Sequence, residues 1–166
     1  MIYEFCAENV TLLEKAMQAG ARRIELCDNL AVGGTTPSYG VTKAAVELAS
    51  NYDTTIMTMI RPRGGDFFYN DLEISIMLED IRLTAQAGSQ GVVFGALTAD
   101  KKLDKANLEK LIAASKGMEI VFHMAFDDLS DQDQLEAIDW LSQAGVTRIL
   151  TRAGVSGDSL EKRFAH

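Results

Sequence analysis

The sequence predicts an α/β protein, an incomplete (β/α)8 barrel of the TIM type with about six βα units and the last two strands missing. Three observations carry this. The tripeptide Gln-Ala-Gly recurs at Gln18-Ala19-Gly20, Gln86-Ala87-Gly88 and Gln143-Ala144-Gly145, each time after a helical pattern and before a short apolar run: "RIELC", "GVVFGAL" and "RILT". Glycine suits the left-handed position that ends a helix, so each copy reads as helix stop followed by strand start. Polar residues cluster just after successive strands, as loops ringing one barrel mouth do. No Gly-x-Gly-x-x-Gly fingerprint follows the first strand, which weighs against an open dinucleotide-binding sheet.

Taken in order, the first strand falls near residues 2–7 and its helix near 9–19. "RIELC" gives a second strand at 23–27, followed by a helix near 41–50. The apolar stretch "TIMTMI" places a third strand at 55–61. The helix at 71–87 opens on Asn70 and Glu73 in capping-box spacing, and Leu72, Ile76 and Leu83 recur at helical intervals. A fourth strand at 91–97 and a helix at 105–116 follow, ended by Gly117. A fifth strand at 119–125, a helix at 131–144 and a sixth strand at 148–151 complete the pattern, with a weak sixth helix starting near Asp158. Strands alternating with helices imply a parallel sheet covered by helices. No linker or low-complexity tract divides residues 1–166, so the chain reads as one domain.

Acidic residues outnumber basic ones by 24 to 16, giving a formal charge of −8. This balance argues against nucleic acid and anionic membranes as partners, because phosphate binding rests on clustered Lys and Arg. No stretch approaches the ~20 apolar residues of a membrane span. The start, "MIYEFCAENV", lacks the basic and apolar regions of a secretion signal. With two cysteines and no export signal, the expectation is a cytoplasmic protein whose Cys6 and Cys27 are free thiols.

Successive strand residues face opposite sides of a sheet, so parity sorts them. Glu4, Cys6 and Glu8 share a face, as do Glu25 and Cys27, then Met57, Met59, Arg61 and Arg63, then Val121, His123, Ala125 and Asp127. The helices need the apolar face, so the polar set points into the barrel or its mouth. One reading is a salt-bridge lattice filling the barrel. The other is a small-molecule site in which Arg61 and Arg63 clamp an anionic metabolite while His123 or Glu25 moves a proton. Cys6 and Cys27 read as buried small hydrophobes or, with Met57 and Met59 beside them, as a soft-ligand cluster of the kind that selects Cu(I). The loop "NLAVGGTTPSYG" reads as a connection or as a lid whose Thr35, Thr36 and Ser38 supply hydroxyls.

Four blocks, "RIELCDNL…GGTTPSYG", "MIRPRGGDFFYND", "GVVFGALTAD" and "FHMAFD", resemble in order the signature segments of the CutC family of copper homeostasis proteins. The resemblance runs from the first strand to "RILT". It implies a TIM-like barrel, a cytoplasmic location, a role in copper tolerance or trafficking, and Cu(I) binding at Cys6 and Cys27. Carried over by motif, a barrel-mouth site would comprise Glu4, Glu25, Arg61, Arg63, Asp66, His123 and Asp127. Three departures stand out. Met124 replaces the usual Arg after the histidine, Leu150-Thr151-Arg152-Ala153 replaces Leu-Thr-Ser-Gly, and the chain stops at "EKRFAH" where the family continues with two further βα units. The expectation is a truncated barrel whose open edges are protected by dimerisation or swapping, and which lacks the phosphate site formed after strands seven and eight.

Overall fold

The computed structural model describes residues 2–152. Six strands, β1 (Glu4–Glu8), β2 (Arg23–Cys27), β3 (Thr55–Met59), β4 (Gly91–Phe94), β5 (Glu119–Phe122) and β6 (Arg148–Ile149), form one sheet in chain order. Every neighbouring pair is parallel. The helices between them are α1 (Leu13–Gln18), α2 (Tyr39–Ala49), α3 (Asp71–Ala87), α4 (Lys105–Ala114) and α5 (Asp131–Gln143). This is an incomplete (β/α)8 barrel, in which the outer edges of β1 and β6 have no strand partner among the described residues. The expected helix near Asp158 lies outside them.

Local chemistry sets the boundaries. Asn70 and Glu73 form the reciprocal capping box, with the Glu73 N–H donating to Asn70 Oδ1 at 3.0 Å and the Asn70 N–H to Glu73 Oε2 at 2.9 Å. Gly20, Gly88 and Gly145 of the repeated phrase all adopt positive φ, as a helix-stop reading requires. Helix α1 starts four residues later than the pattern predicts. Asn9 is left-handed and its N–H bonds Cys27 O, prolonging the β1–β2 ladder where helix was expected. Strands β3 to β6 end two or three residues early, with Ile60, His123 and Leu150 each still donating one bond to the neighbouring strand (Val93, Phe94 and Phe122 carbonyls).

Parity sorted the strands correctly. Ile24, Leu26, Ile56, Val92, Phe94, Ile120 and Phe122 pack beneath the helices in two apolar clusters. Cys27, Met57, Met59, Val93 and Val121 form a separate cluster on the inner side, with Leu150 against it. Helix α3 carries apolar residues on two faces. Leu72 and Ile76 of α3 are solvent-exposed, and the stripe facing the sheet is Ile74, Met77, Ile81 and Thr84. Both stripes have helical spacing, so periodicity alone could not choose between them.

The inner layer is closely fitted at Gly91. A methyl group there would lie 2.1 Å from Met57 Cε and 2.8 Å from the Glu119 carbonyl oxygen. Met57 therefore occupies the space that a side chain at position 91 would need. Gly91→Ala is expected to cost about 1–3 kcal/mol in urea unfolding, the range for overpacking a filled core. An unchanged midpoint would show that this layer yields.

Candidate functional site

Two groups of side chains stand on the inner side of the sheet. The first joins Cys6 of β1 to Glu25 and Cys27 of β2. Cys6 is in register with Glu25, while Cys27 pairs with Glu8. The thiols therefore sit one pleat apart along the strands. Their sulfurs nevertheless converge, because each lies 3.7 Å from the same oxygen, Glu25 Oε1. The Sγ atoms and a Glu25 oxygen all fall within 4.8 Å of one another.

This cluster is graded from wet to dry. Cys6 is exposed, Glu25 is 5% exposed and Cys27 is fully buried. Gly34, at φ +88°, lays its backbone over Cys27, and a methyl group there would stand 3.1 Å from the sulfur. Burial, then the negative charge of Glu4, raises the Glu25 pKa above the usual carboxylate range, against the opposing hydrogen bonds from the two thiols. The Cys27 thiol is also pushed up, first by its contact with Cys6, then by burial and by the Glu25 charge. Both shifts favour the protonated form of their group. Two sulfurs and a carboxylate in partial seclusion suit a soft cation, whose charge would replace those protons.

The second group lines a cavity of about 230 Å³ at the C-terminal ends of the strands, including Met59, Arg61, Phe67, His123, Asp127 and Arg152. Arg61, 4% exposed, donates from Nη1 to the carbonyls of Val32 (2.9 Å) and Gly34 (3.0 Å) and from Nη2 to that of Gly65 (2.7 Å). Its carbon Cζ lies 4.9 Å from the centroid of the Phe67 ring. His123, 2% exposed, begins a short 3-10 turn and accepts the Ala125 N–H at Nδ1 (3.2 Å), which leaves the proton of the neutral ring on Nε2. Burial, reinforced by the Arg61 charge, lowers its pKa to about 3. Asp127 at the lip accepts from the Thr151 hydroxyl and the Arg152 N–H, tying this turn to the end of β6.

The remaining expected site residues are placed elsewhere. Arg63 shares parity with Arg61 on paper, but the strand has ended at Met59 and Pro62 intervenes. Its guanidinium folds back onto Glu73 (2.5 Å) and Asp66 (3.0 Å) at the start of α3 and does not line the cavity. Asp66 is an exposed partner of that arginine. Glu4 sits at the N-terminal end of β1, paired with Arg23 at 3.4 Å, on the opposite end of the strands from the mouth. Thr35 pairs with the Asp28 backbone, and Ser38 caps α2 by accepting the Val41 N–H. The 29–40 loop is thus held by Arg61 and by its own turns. Sequence reading missed Phe67 and Arg152, which reach the cavity from loops where parity has no meaning. A larger groove of about 440 Å³ between β1 and α1, lined by Tyr3, Phe5, Leu12 and Ala16 among others, lies on the helix side, away from both clusters.

Comparison with known proteins decides the lineage, for the CutC family model matches residues 1–163. The chain belongs to the CutC family. A CutC family protein of Enterococcus faecalis is 52% identical over 166 residues, covering 100% of this chain and 79% of that protein. A solved CutC from Streptococcus agalactiae, whose name assigns it to copper homeostasis, superposes with a TM-score of 0.94 at 46% identity, covering 98% of this chain and 78% of that one. An archaeal fructose 1,6-bisphosphate aldolase shares the fold alone, with a TM-score of 0.60 at 14% identity over 83% of this chain and 52% of its own. Among the described residues no helix of this CutC chain is long and apolar enough to cross a membrane.

The depressed His123 pKa fixes the sign of a pH effect. The unfolded chain takes up a proton near pH 6.5, whereas the native ring resists until about 3. The unfolded state binds more protons between those values, so stability falls as pH drops below about 6.5. The slope from this group is at most about 1.4 kcal/mol per pH unit. In urea titrations from pH 7 to 5, His123→Asn, which keeps an acceptor for the Ala125 N–H, should flatten this slope. Parallel curves for the two proteins would contradict the buried neutral ring.

Proposed function

We propose that this CutC-family protein binds Cu(I) through Cys6 and Cys27 and takes part in copper handling in the cytoplasm. The observation that carries the reading is the convergence of both sulfurs on Glu25 within 4.8 Å. Thiolates prefer Cu(I) over hard cations, and Met57 and Met59 beside Cys27 give the site a soft, dry floor. The exposed Cys6 offers the sulfur at which an incoming or departing ion exchanges ligands, while buried Cys27 retains it. A thiol must give up its proton to bind the ion, so apparent affinity rises with pH.

Anaerobic Cu(I) titration against a competing chromophoric chelator tests this. Cys6→Ser/Cys27→Ser should weaken binding by more than about 100-fold, beyond the cost of losing an outer-shell partner alone. Undiminished affinity in the double variant would remove copper from the thiols.

The open sheet edges support a second element of the proposal, self-association. Ile2 and Tyr3, beside the outer edge of β1, are 59% and 66% exposed. An uncovered edge is a template for pairing with another copy. Light scattering coupled to size exclusion should give a dimer or larger species at micromolar concentration. A well-folded monomer across that range would dispose of the idea.

A further inference from the structure

We propose that the cavity between Arg61 and His123 is a second binding site, separate from the thiols, whose ligand is a small monocarboxylate. The charge of Arg61 is the starting point. The residue is buried, and none of the ion pairs among the described residues includes it. Three backbone carbonyls hold the ends of its fork, which fixes its plane but leaves its positive charge without a carboxylate in direct contact among the described residues. The Tyr69 hydroxyl lies near the same guanidinium, yet burial pushes its pKa up to about 12, so it stays neutral and supplies no counter-charge. A buried cation of this kind calls for an anion.

Two unspent donors face the same need. Arg61 Nε and His123 Nε2 are both buried, and neither has a protein partner among the described residues. The Nδ1 of His123 is occupied by the Ala125 N–H, so its remaining nitrogen presents hydrogen and not a lone pair. The Phe67 ring stands 4.7 Å from the His123 ring and 4.9 Å from Arg61 Cζ, bracing both planes with an apolar wall. A Cβ on Gly95 would meet the imidazole at 2.7 Å, so the ring is also seated against the strand backbone.

The lining selects the ligand class. The one buried cation, Arg61, and two N–H donors match a single charge spread over two oxygens. Asp127, Asp128 and the exposed Arg152 also border the cavity, so its rim carries two carboxylates to one guanidinium and opposes a phosphate dianion. At about 230 Å³ the space falls below the range that holds drug-sized molecules, so the acid is small. Met59, Val32 and Phe67 supply apolar contact for a short carbon chain.

Titration of the full chain with acetate, propionate or pyruvate, followed by ¹H–¹⁵N spectra of the His123 ring and the Arg61 Nε–H, tests the proposal. At least one of these acids should shift both resonances saturably and bind at least about tenfold tighter than inorganic phosphate. His123→Asn, which retains the turn's acceptor but loses the Nε2 donor, should weaken binding by about tenfold or more, and His123→Gln should recover part of it. Cys6→Ser/Cys27→Ser should bind the acid as the natural sequence does, which separates this site from the copper reading. Absence of saturable shifts up to tens of millimolar acid, tighter binding of phosphate, or undiminished binding by His123→Asn would each overturn it.

Discussion

The mouth of this barrel depends on the guanidinium of Arg61. Its fork donates to Val32 and Gly34 in one loop and to Gly65 in another, while its backbone N–H and C=O exchange hydrogen bonds with Thr36. Loops of this length would otherwise have to satisfy these inward carbonyls with water. One buried cation replaces that water at three points. The loop after β2 and the loop after β3 are therefore a single unit, and their shape follows from one side chain at the end of one strand.

Around that fixed point the other buried titratable groups are pushed toward their uncharged forms. Burial raises Glu25 and lowers His123, and contact with Cys6 followed by burial raises Cys27. Contact and field work in the same direction as desolvation: Cys6 and Glu25 push Cys27 further up, and Arg61 pushes His123 further down. The inner face thus favours protons at Glu25 and Cys27 and carries at the mouth a positive charge that no described ion pair includes. Those two conditions ask for opposite things, a cation at the sulfurs and an anion at the guanidinium.

Much of this was legible in the sequence. The Gln-Ala-Gly phrase and the Asn70–Glu73 box encode local backbone geometry, which few residues suffice to specify. Parity placed Cys6, Glu25, Cys27, Met57, Met59 and His123 on the inner side, because the period of two holds wherever the ladder holds. It failed where the ladder stops. Arg63 follows Pro62 in a turn, so its parity carries no direction, and the nearest carboxylates, Glu73 and Asp66, took it. Glu4 has the right face but the wrong end, since parity sorts sides and says nothing of depth along a strand. Ser38 and Thr35 were read as ligand hydroxyls in a loop whose own caps and turns use them first. The choice between two equally periodic stripes on α3 was a tertiary matter, fixed only by how the helix rolls on the sheet.

The two candidate sites also share a wall. Gly34 covers the Cys27 sulfur with its backbone, and its carbonyl accepts from Arg61 Nη1 at 3.0 Å. At this position a side chain is excluded twice, by the left-handed φ of +88° and by the 3.1 Å approach to sulfur. A larger residue would have to lift the loop from Cys27, and the same movement would draw a carbonyl away from Arg61. Proximity of this kind does not by itself couple two equilibria. It does mean that neither site can be reshaped alone through this loop, because the atoms that seal the sulfur also hold the guanidinium in place.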